Sequence, residues 1–233
     1  MSSPAEQQQQ QGNGRQRQEV RDSITLTDAE SALLSTLLDA AKAAGTGTVL
    51  RCAGGWVRDK LLGRESLDID VALDNCMGRE FAEAVNVHLK SQGKDTRTAA
   101  VIQSNPDQSK HLETARMRVN DIWIDLVNLR SETYASDSRI PTIEFGTAEQ
   151  DALRRDFTIN SMFYNVNLGV VEDLTGRGLE DLRAGIIRTP LHPLETFLDG
   201  TCQWEDLKAL PVGCQHAVVA GVVQVLVAEV GIC

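Results

Sequence analysis

The sequence predicts an α/β (α+β) fold, a sheet of short strands covered by helices, on three observations. Segments 49–53, 68–73 and 121–127 have strand length and an alternating or continuous apolar pattern. Thr27, with Glu30 three residues on, opens a stretch of helical periodicity. Gly54 and Gly55 stand where a strand would hand the chain to a helix.

The elements follow in chain order. Met1 to about Arg21 is rich in Gln, Ser and Gly, including the run Gln7 to Gln11, and reads as disordered for want of apolar surface to bury. It has no apolar core of a secretory signal, and its acids argue against a transit peptide. After Thr27, the stripe Leu33, Leu34, Leu37, Leu38 and Ala41 makes a helix that ends near Gly45 and covers the sheet. Val49–Ala53 reads as a strand, and a short helix starts near Trp56. In the next strand Ile69, Val71 and Leu73 share one face, leaving Asp68, Asp70 and Ala72 on the other. A strand around Thr98–Ile102 leads into the polar loop Gln103–Lys110, and Leu112–Val119 pairs with Ile122–Val127 as a hairpin. Ser131–Phe145 is polar and turn-rich, a surface loop. Ala217–Val230 is strongly apolar, yet shorter than the roughly twenty residues that span a bilayer.

Chemistry concentrates in the run from Arg51 to Asp70. Without side chains, Gly54 and Gly55 let backbone N–H groups approach a triphosphate, and Arg58 adds a forked cation suited to its oxygens. Asp68 and Asp70 lie two positions apart on one strand face, roughly 6.5–7 Å along the backbone, so both can reach one group of ions. Two such charges at about 4 Å and an effective dielectric of about 20 repel by roughly 4 kcal/mol, a penalty that a divalent cation such as Mg²⁺ reverses. Two ions about 3.5–4 Å apart would activate an attacking hydroxyl and stabilise leaving pyrophosphate. A third carboxylate is expected from a neighbouring strand, and Asp125 is preferred to Asp121, which follows Asn120 in the hairpin turn. An isolated Asp-x-Asp or Gly-Gly is more often a solvated strand face or a plain turn; their order and spacing here favour the functional reading.

A second cluster, Asp151-Ala-Leu-Arg-Arg-Asp-Phe-Thr-Ile-Asn-Ser161, mixes two arginines, acids, an amide and hydroxyls between apolar residues. An arginine here would hold triphosphate or ribose, with Asp156 orienting it or accepting from a ribose hydroxyl. The plain alternative is a helical Asp–Arg pair worth a few tenths of a kcal/mol.

GGWVRDKLLGRESLDID, KHLETARMRV, IDLVNLR, RRDFTINSMFYN and EDLTGRGLEDLRAGIIRTP, in this order between about Leu50 and Asp199, closely resemble the head domain of eukaryotic-type tRNA nucleotidyltransferases. These are CCA-adding enzymes of class II, the class that also includes bacterial poly(A) polymerase. The resemblance implies a polymerase-beta-like nucleotidyltransferase head with a mixed or antiparallel sheet and helices on one side. It implies addition of C, C and A to the 3′ end of tRNA from CTP and ATP, with Mg²⁺ and release of pyrophosphate. Asp68 and Asp70 match the metal-binding pair, and Asp125 the acidic position before Asn-Leu-Arg. Gly55 and Arg58, beside Gly54, match nucleotide contacts of the first motif; Arg155 and Asp156 match those of the second, with Asn160 in support. Asp173, Thr175 and Gly176 resemble the link from head to neck, where Arg177 replaces a common second Gly. The loop Ser131–Phe145, with Arg139, resembles a loop that helps to switch nucleotide choice.

After Asp199 the resemblance stops. The neck motif Glu-Asp-x-x-Arg that reads the incoming base has no counterpart, since Glu180-Asp-Leu-Arg183 is one residue too short. The expected organisation is a Gln-rich tail over 1–22, a head over 23–199 and an atypical tail over 200–233. A nucleotide-binding or partner-binding fragment without catalysis, and a poly(A) polymerase-like activity, stay open as alternatives. A length of 233 residues suits one such domain with a real core, and a formal charge of −10 argues against strong non-specific RNA binding. Five cysteines without metal-ligand spacing suggest a reducing intracellular compartment and no structural zinc.

Overall fold

The computed structural model describes residues 19–96, 99–102, 114–133 and 142–198. The polar loop at 103–110, Arg139 and the apolar stretch 217–230 lie outside the described residues. In chain order the elements are α1 (Asp28–Ala44), β1 (Leu50–Ala53), α2 (Gly55–Leu61), β2 (Ile69–Leu73), α3 (Gly78–Ser91), β3 (Ala100–Ile102), β4 (Thr114–Val119) and β5 (Ile122–Asn128). Then come β6 (Arg130–Thr133), β7 (Thr142–Phe145), α4 (Ala148–Leu153), a 3₁₀ turn (Thr158–Asn160), β8 (Phe163–Asn165), β9 (Val170–Glu172), α5 (Gly178–Ala184) and α6 (Pro193–Leu198).

Seven strands form one mixed sheet in the order β3-β4-β5-β2-β1-β8-β9. Neighbours run antiparallel except β2 and β5, which are parallel. Alternation along the strands splits the molecule into two faces. Leu50 and Cys52, Ile69, Val71 and Leu73, Met117, and Ile124 and Leu126 enter the main core with Leu33 and Leu37 of α1, Trp56 and Leu61 of α2, and Phe81 and Val85 of α3. The three longest-reaching helices thus share one face. The opposite face carries a small cluster of Ala53, Ala72, Phe163 and Leu129, closed by Ala152 of the short α4.

The capping box forms as the sequence leads one to expect: Glu30 N donates to Thr27 Oγ1 at 3.2 Å and Thr27 N to Glu30 Oε2 at 2.8 Å. Gly45, left-handed at φ 63°, ends α1. Glu30 does more than cap. Buried in the core edge, it accepts Trp56 Nε1 at 3.1 Å and pairs with the buried Lys60 Nζ at 2.8 Å, tying α1 to α2. The start of α3 is pressed onto β5, because a Cβ on Gly78 would lie 2.6 Å from Leu126 O. Upstream, Val20 packs against the core and Arg21 N donates to Leu61 O at 2.9 Å, so the packed chain starts just inside the stretch read as tail.

One expectation changes. The ends of the segment Ser131–Phe145, read as a loop, pair as the antiparallel ribbon β6–β7, from Arg130 opposite Phe145 to Thr133 opposite Thr142. Its polar composition hid the pairing, since ladder bonds join backbone groups whatever the side chains.

Candidate active site

Cross-strand partners share a face, so the register sets Arg116, Asp125, Asp70, Ala53, Phe163 and Glu172 in one row across the sheet, on the face away from the main core. Asp70 and Asp125 are neighbours in the parallel pair β2–β5. Asp68 stands exposed just ahead of β2. Asp121, the rejected alternative, sits in the turn at φ 66° and pairs with Arg118 at 3.1 Å.

The carboxylates feel one another. Burial, then the charge of Asp68, pushes the Asp70 carboxyl up to about 6; Asp125 adds to the rise, while Arg155 and Arg116 oppose it. Burial likewise raises Asp125, with Arg116 opposing and Asp68 assisting. Among the described residues Asp125 Oδ1 is buried and accepts no hydrogen bond, with Arg116 Nε 3.7 Å away. Among the described residues no three His, Cys, Asp or Glu side chains are gathered closely enough to enclose a metal ion as they stand.

Beside this row lies the turn from β1 into α2. Gly54 has φ 69° and ψ −133°, open to glycine alone, and a Cβ there would meet Arg155 Nη1 at 3.0 Å. Gly55 opens α2. Arg58, one turn further, is held by Asp59 Oδ1 at 2.9 Å and by Asn160 Oδ1 at 2.7 Å. Asn160 Nδ2 in turn donates to both oxygens of Asp156, at 3.2 and 3.1 Å, and Asp156 Oδ1 accepts Phe157 N. Arg155 Nη1 donates to Asn160 O at 3.3 Å, and its guanidinium lies 5.1 Å over the Phe163 ring. Gly54, Gly55, Arg58, Arg155, Asp156 and Asn160 therefore meet around one turn, although a hundred residues separate the two segments.

Asp156 reaches Arg58 through Asn160, and a further acid that sequence reasoning did not single out, Asp151, holds Arg155 directly. Asp151, 1% exposed, accepts Arg154 Nη2 at 2.6 Å and Arg155 Nη2 at 2.8 Å, and its Oδ1 also takes Arg130 N at 3.1 Å. Burial raises its carboxyl, but the two arginines overcome that and hold it below the usual carboxylate range. The signal was present as an Asp three and four positions before two arginines; what the sequence concealed was burial, which turns a weak surface pair into a clamp. Further on, Thr175 Oγ1 donates to Asp173 Oδ1 at 2.9 Å and Gly176 N to the Asp173 backbone carbonyl at 3.1 Å, while Asp173 Oδ2 accepts Leu179 N at 3.0 Å, a closed turn leading into α5.

Residues 50–188 match the family model of the poly A polymerase head domain. The chain belongs to this family. Over 154 residues this poly A polymerase head domain is 52% identical to the mitochondrial CCA tRNA nucleotidyltransferase of Candida glabrata, a match covering 64% of the chain and 29% of that relative. It superposes on the CCA-adding enzyme of Thermotoga maritima complexed with tRNA with a TM-score of 0.56 at 27% identity, covering 79% of this chain and 37% of that one. A CCA-adding enzyme in complex with CTP gives a TM-score of 0.53 at 27% identity, covering 75% and 35%. The chain spans about a third of the length of these relatives. Among the described residues no helix is long and apolar enough to cross a membrane.

Proposed function

We propose that this chain is the catalytic head of a tRNA nucleotidyltransferase, residues 23–199, which adds nucleotides from CTP and ATP to the tRNA 3′ end inside the cell. The observation that carries the reading is the side-by-side pair Asp70 and Asp125, flanked by the turn that gathers Gly54, Arg58 and Arg155. Asp70 and Asp125, both raised by burial and then by neighbouring acid charge, with an oxygen left unsatisfied, fit a hard divalent cation, here Mg²⁺, held by Asp68 and Asp70 with Asp125 alongside. When bound, such an ion neutralises charge on the reacting phosphates.

The chain's own groups do the rest. Backbone N–H groups that open α2 from Gly55, past the bare Gly54, and the Arg58 guanidinium take the triphosphate, with Arg155, fixed by Asp151, beside Gly54. Asp156 and Asn160 hold Arg58 in place and leave Asp156 near enough for a ribose hydroxyl. The RNA 3′-hydroxyl oxygen bonds to the α-phosphorus, the bond to the β-phosphate breaks, and pyrophosphate departs with the electron pair. Asp125, at the far side of the row, receives the hydroxyl proton.

The test is incorporation of each labelled NTP into tRNA lacking its 3′ CCA, with Mg²⁺, beside the Asp68→Ala/Asp70→Ala chain. C and A incorporation by the unsubstituted chain alone is expected. Incorporation that survives the double substitution overturns the metal roles. Incorporation of A alone, into any RNA 3′ end, favours the poly(A) polymerase reading, and Mg-ATP binding without incorporation favours a nucleotide-binding fragment.

A further inference from the structure

The site face of the sheet does not end at the carboxylates. Beyond Asp125, on the side away from the phosphate turn, β4 and β5 carry Arg116, Arg118 and Trp123, all on the face that bears Asp70. Trp123 is 49% exposed, the wrong place for a large apolar ring in a sheet whose other face is a filled core. The Arg116 guanidinium lies 5.6 Å from the centre of its ring, and Arg118 is its direct cross-strand partner. The other tryptophan described, Trp56, is 1% exposed, so the exposure belongs to this position rather than to thin packing in general.

Geometry says which substrate meets this patch. In an in-line displacement, the attacking oxygen and the leaving pyrophosphate lie on opposite sides of the transferred phosphorus. Gly54, Arg58 and Arg155 are on the β1–β8 side of Asp70, so the triphosphate lies there and the attacking hydroxyl arrives from the β5–β4 side. Trp123 is two residues before Asp125 on β5, about 6.5–7 Å along the strand, the reach of one nucleotide from its own 3′-hydroxyl. An exposed indole with one guanidinium beside its ring and a second arginine, Arg118, opposite it in register and paired with Asp121 offers what a single-stranded RNA end requires: a face for a base and cations for the phosphates.

We propose that Trp123, with Arg116 and Arg118, is the platform on which the 3′-terminal bases of the acceptor RNA stack. This rests on the transferase reading for its direction, and names the surface that the RNA strand uses. Stacking is indifferent to base identity, so one platform serves an end whose last base changes after each addition. It also accommodates the chain's overall charge of −10: the RNA is held by one local aromatic and basic patch, not by a broadly positive surface.

The experiment is binding of a 5′-labelled single-stranded RNA 12-mer with a free 3′-hydroxyl, followed by anisotropy without NTP, to the full chain and to Trp123→Ala, Trp123→Phe and Arg116→Ala. Trp123→Ala is expected to weaken binding about tenfold, Trp123→Phe to restore most of it, and Arg116→Ala to weaken it and flatten its salt dependence. In the incorporation assay Trp123→Ala should raise KM for RNA and leave KM for NTP unchanged, a split that loss of folding would not produce. Equal RNA binding by all four chains, or no RNA binding by the unsubstituted chain, overturns the platform. RNA binding that depends on Trp123 in a chain that incorporates no nucleotide upholds the platform and overturns the transferase reading, so the two failures are distinct.

Discussion

Asp151 and Asp70 are both carboxylates removed from water within one small domain, and their surroundings push them in opposite directions. Asp151 accepts from two guanidinium groups and a backbone N–H, and its carboxyl sits below the usual range. Asp70 is pushed up to about 6, first by burial and then by the acids beside it, against the pull of Arg155 and Arg116. A carboxylate whose neighbours already neutralise it is part of the frame. One that burial and adjacent acids destabilise is, on the reading proposed above, where a cation would bind.

Substitutions at four positions would break or sharpen that contrast. The largest effect is expected for Asp70→Ala, which should lower nucleotide incorporation by at least about a thousandfold while the thermal transition stays cooperative. Asp151→Ala should do the reverse, removing about 3–5 kcal/mol of stability, because two part-buried guanidinium groups lose their buried counter-charge; a urea midpoint reads it. Its pH dependence has a definite sign. With the folded pKa depressed, the contribution of Asp151 is full above the unfolded carboxylate value and disappears as pH falls through the folded one. The stability gap between the unsubstituted chain and Asp151→Asn should thus be constant at neutral pH and close in strong acid.

Asp70→Asn is next. Because the folded carboxyl is raised from 3.8 to about 6, the cost of ionising it builds as pH rises from the lower value to the higher and is full beyond, and the amide should stabilise the metal-free chain by roughly 3 kcal/mol at pH 7.5. A lower melting temperature than the unsubstituted chain, measured in chelator, would contradict the strain assigned to this site. The smallest change in stability, under about 1 kcal/mol, is expected for Gly55→Ala: a Cβ there would come no nearer than 3.5 Å to the Arg58 side chain. Its signature should be a raised KM for NTP. Gly54→Ala, forced into a left-handed conformation against Arg155, should lose both stability and activity.

What the sequence disclosed follows from the range over which each signal acts. The capping box of α1, the turn at Gly54 and the strand that carries Asp70 depend on residues two to four apart, and all could be read before any fold was known, although the strand starts at Ile69 and leaves Asp68 just ahead of it. The choice of Asp125 over Asp121 used a local turn signal; its position beside Asp70 comes from parallel pairing across more than fifty residues, which no local pattern encodes. The clamp at Asp151 was not foreseen because spacing shows that an acid can reach an arginine, not whether water is excluded there. The ribbon β6–β7 was missed since its strands lack the apolar face that announces a strand.

The Glu30–Lys60 pair bears on where this domain physically begins. The family match starts at residue 50, yet Lys60 is buried inside that match and its charge is balanced chiefly by an acid on α1, outside it. Burial alone would lower the Lys60 pKa; Glu30 and Glu65 raise it instead. A chain trimmed to the boundary of sequence similarity would carry an ammonium group with half its counter-charge gone, an indole N–H with no acceptor, and an uncovered apolar sheet directly beneath the phosphate turn. The smallest autonomous unit is therefore longer than the stretch by which the family is recognised, and Asp28–Ala44 belongs to it as much as the strands do.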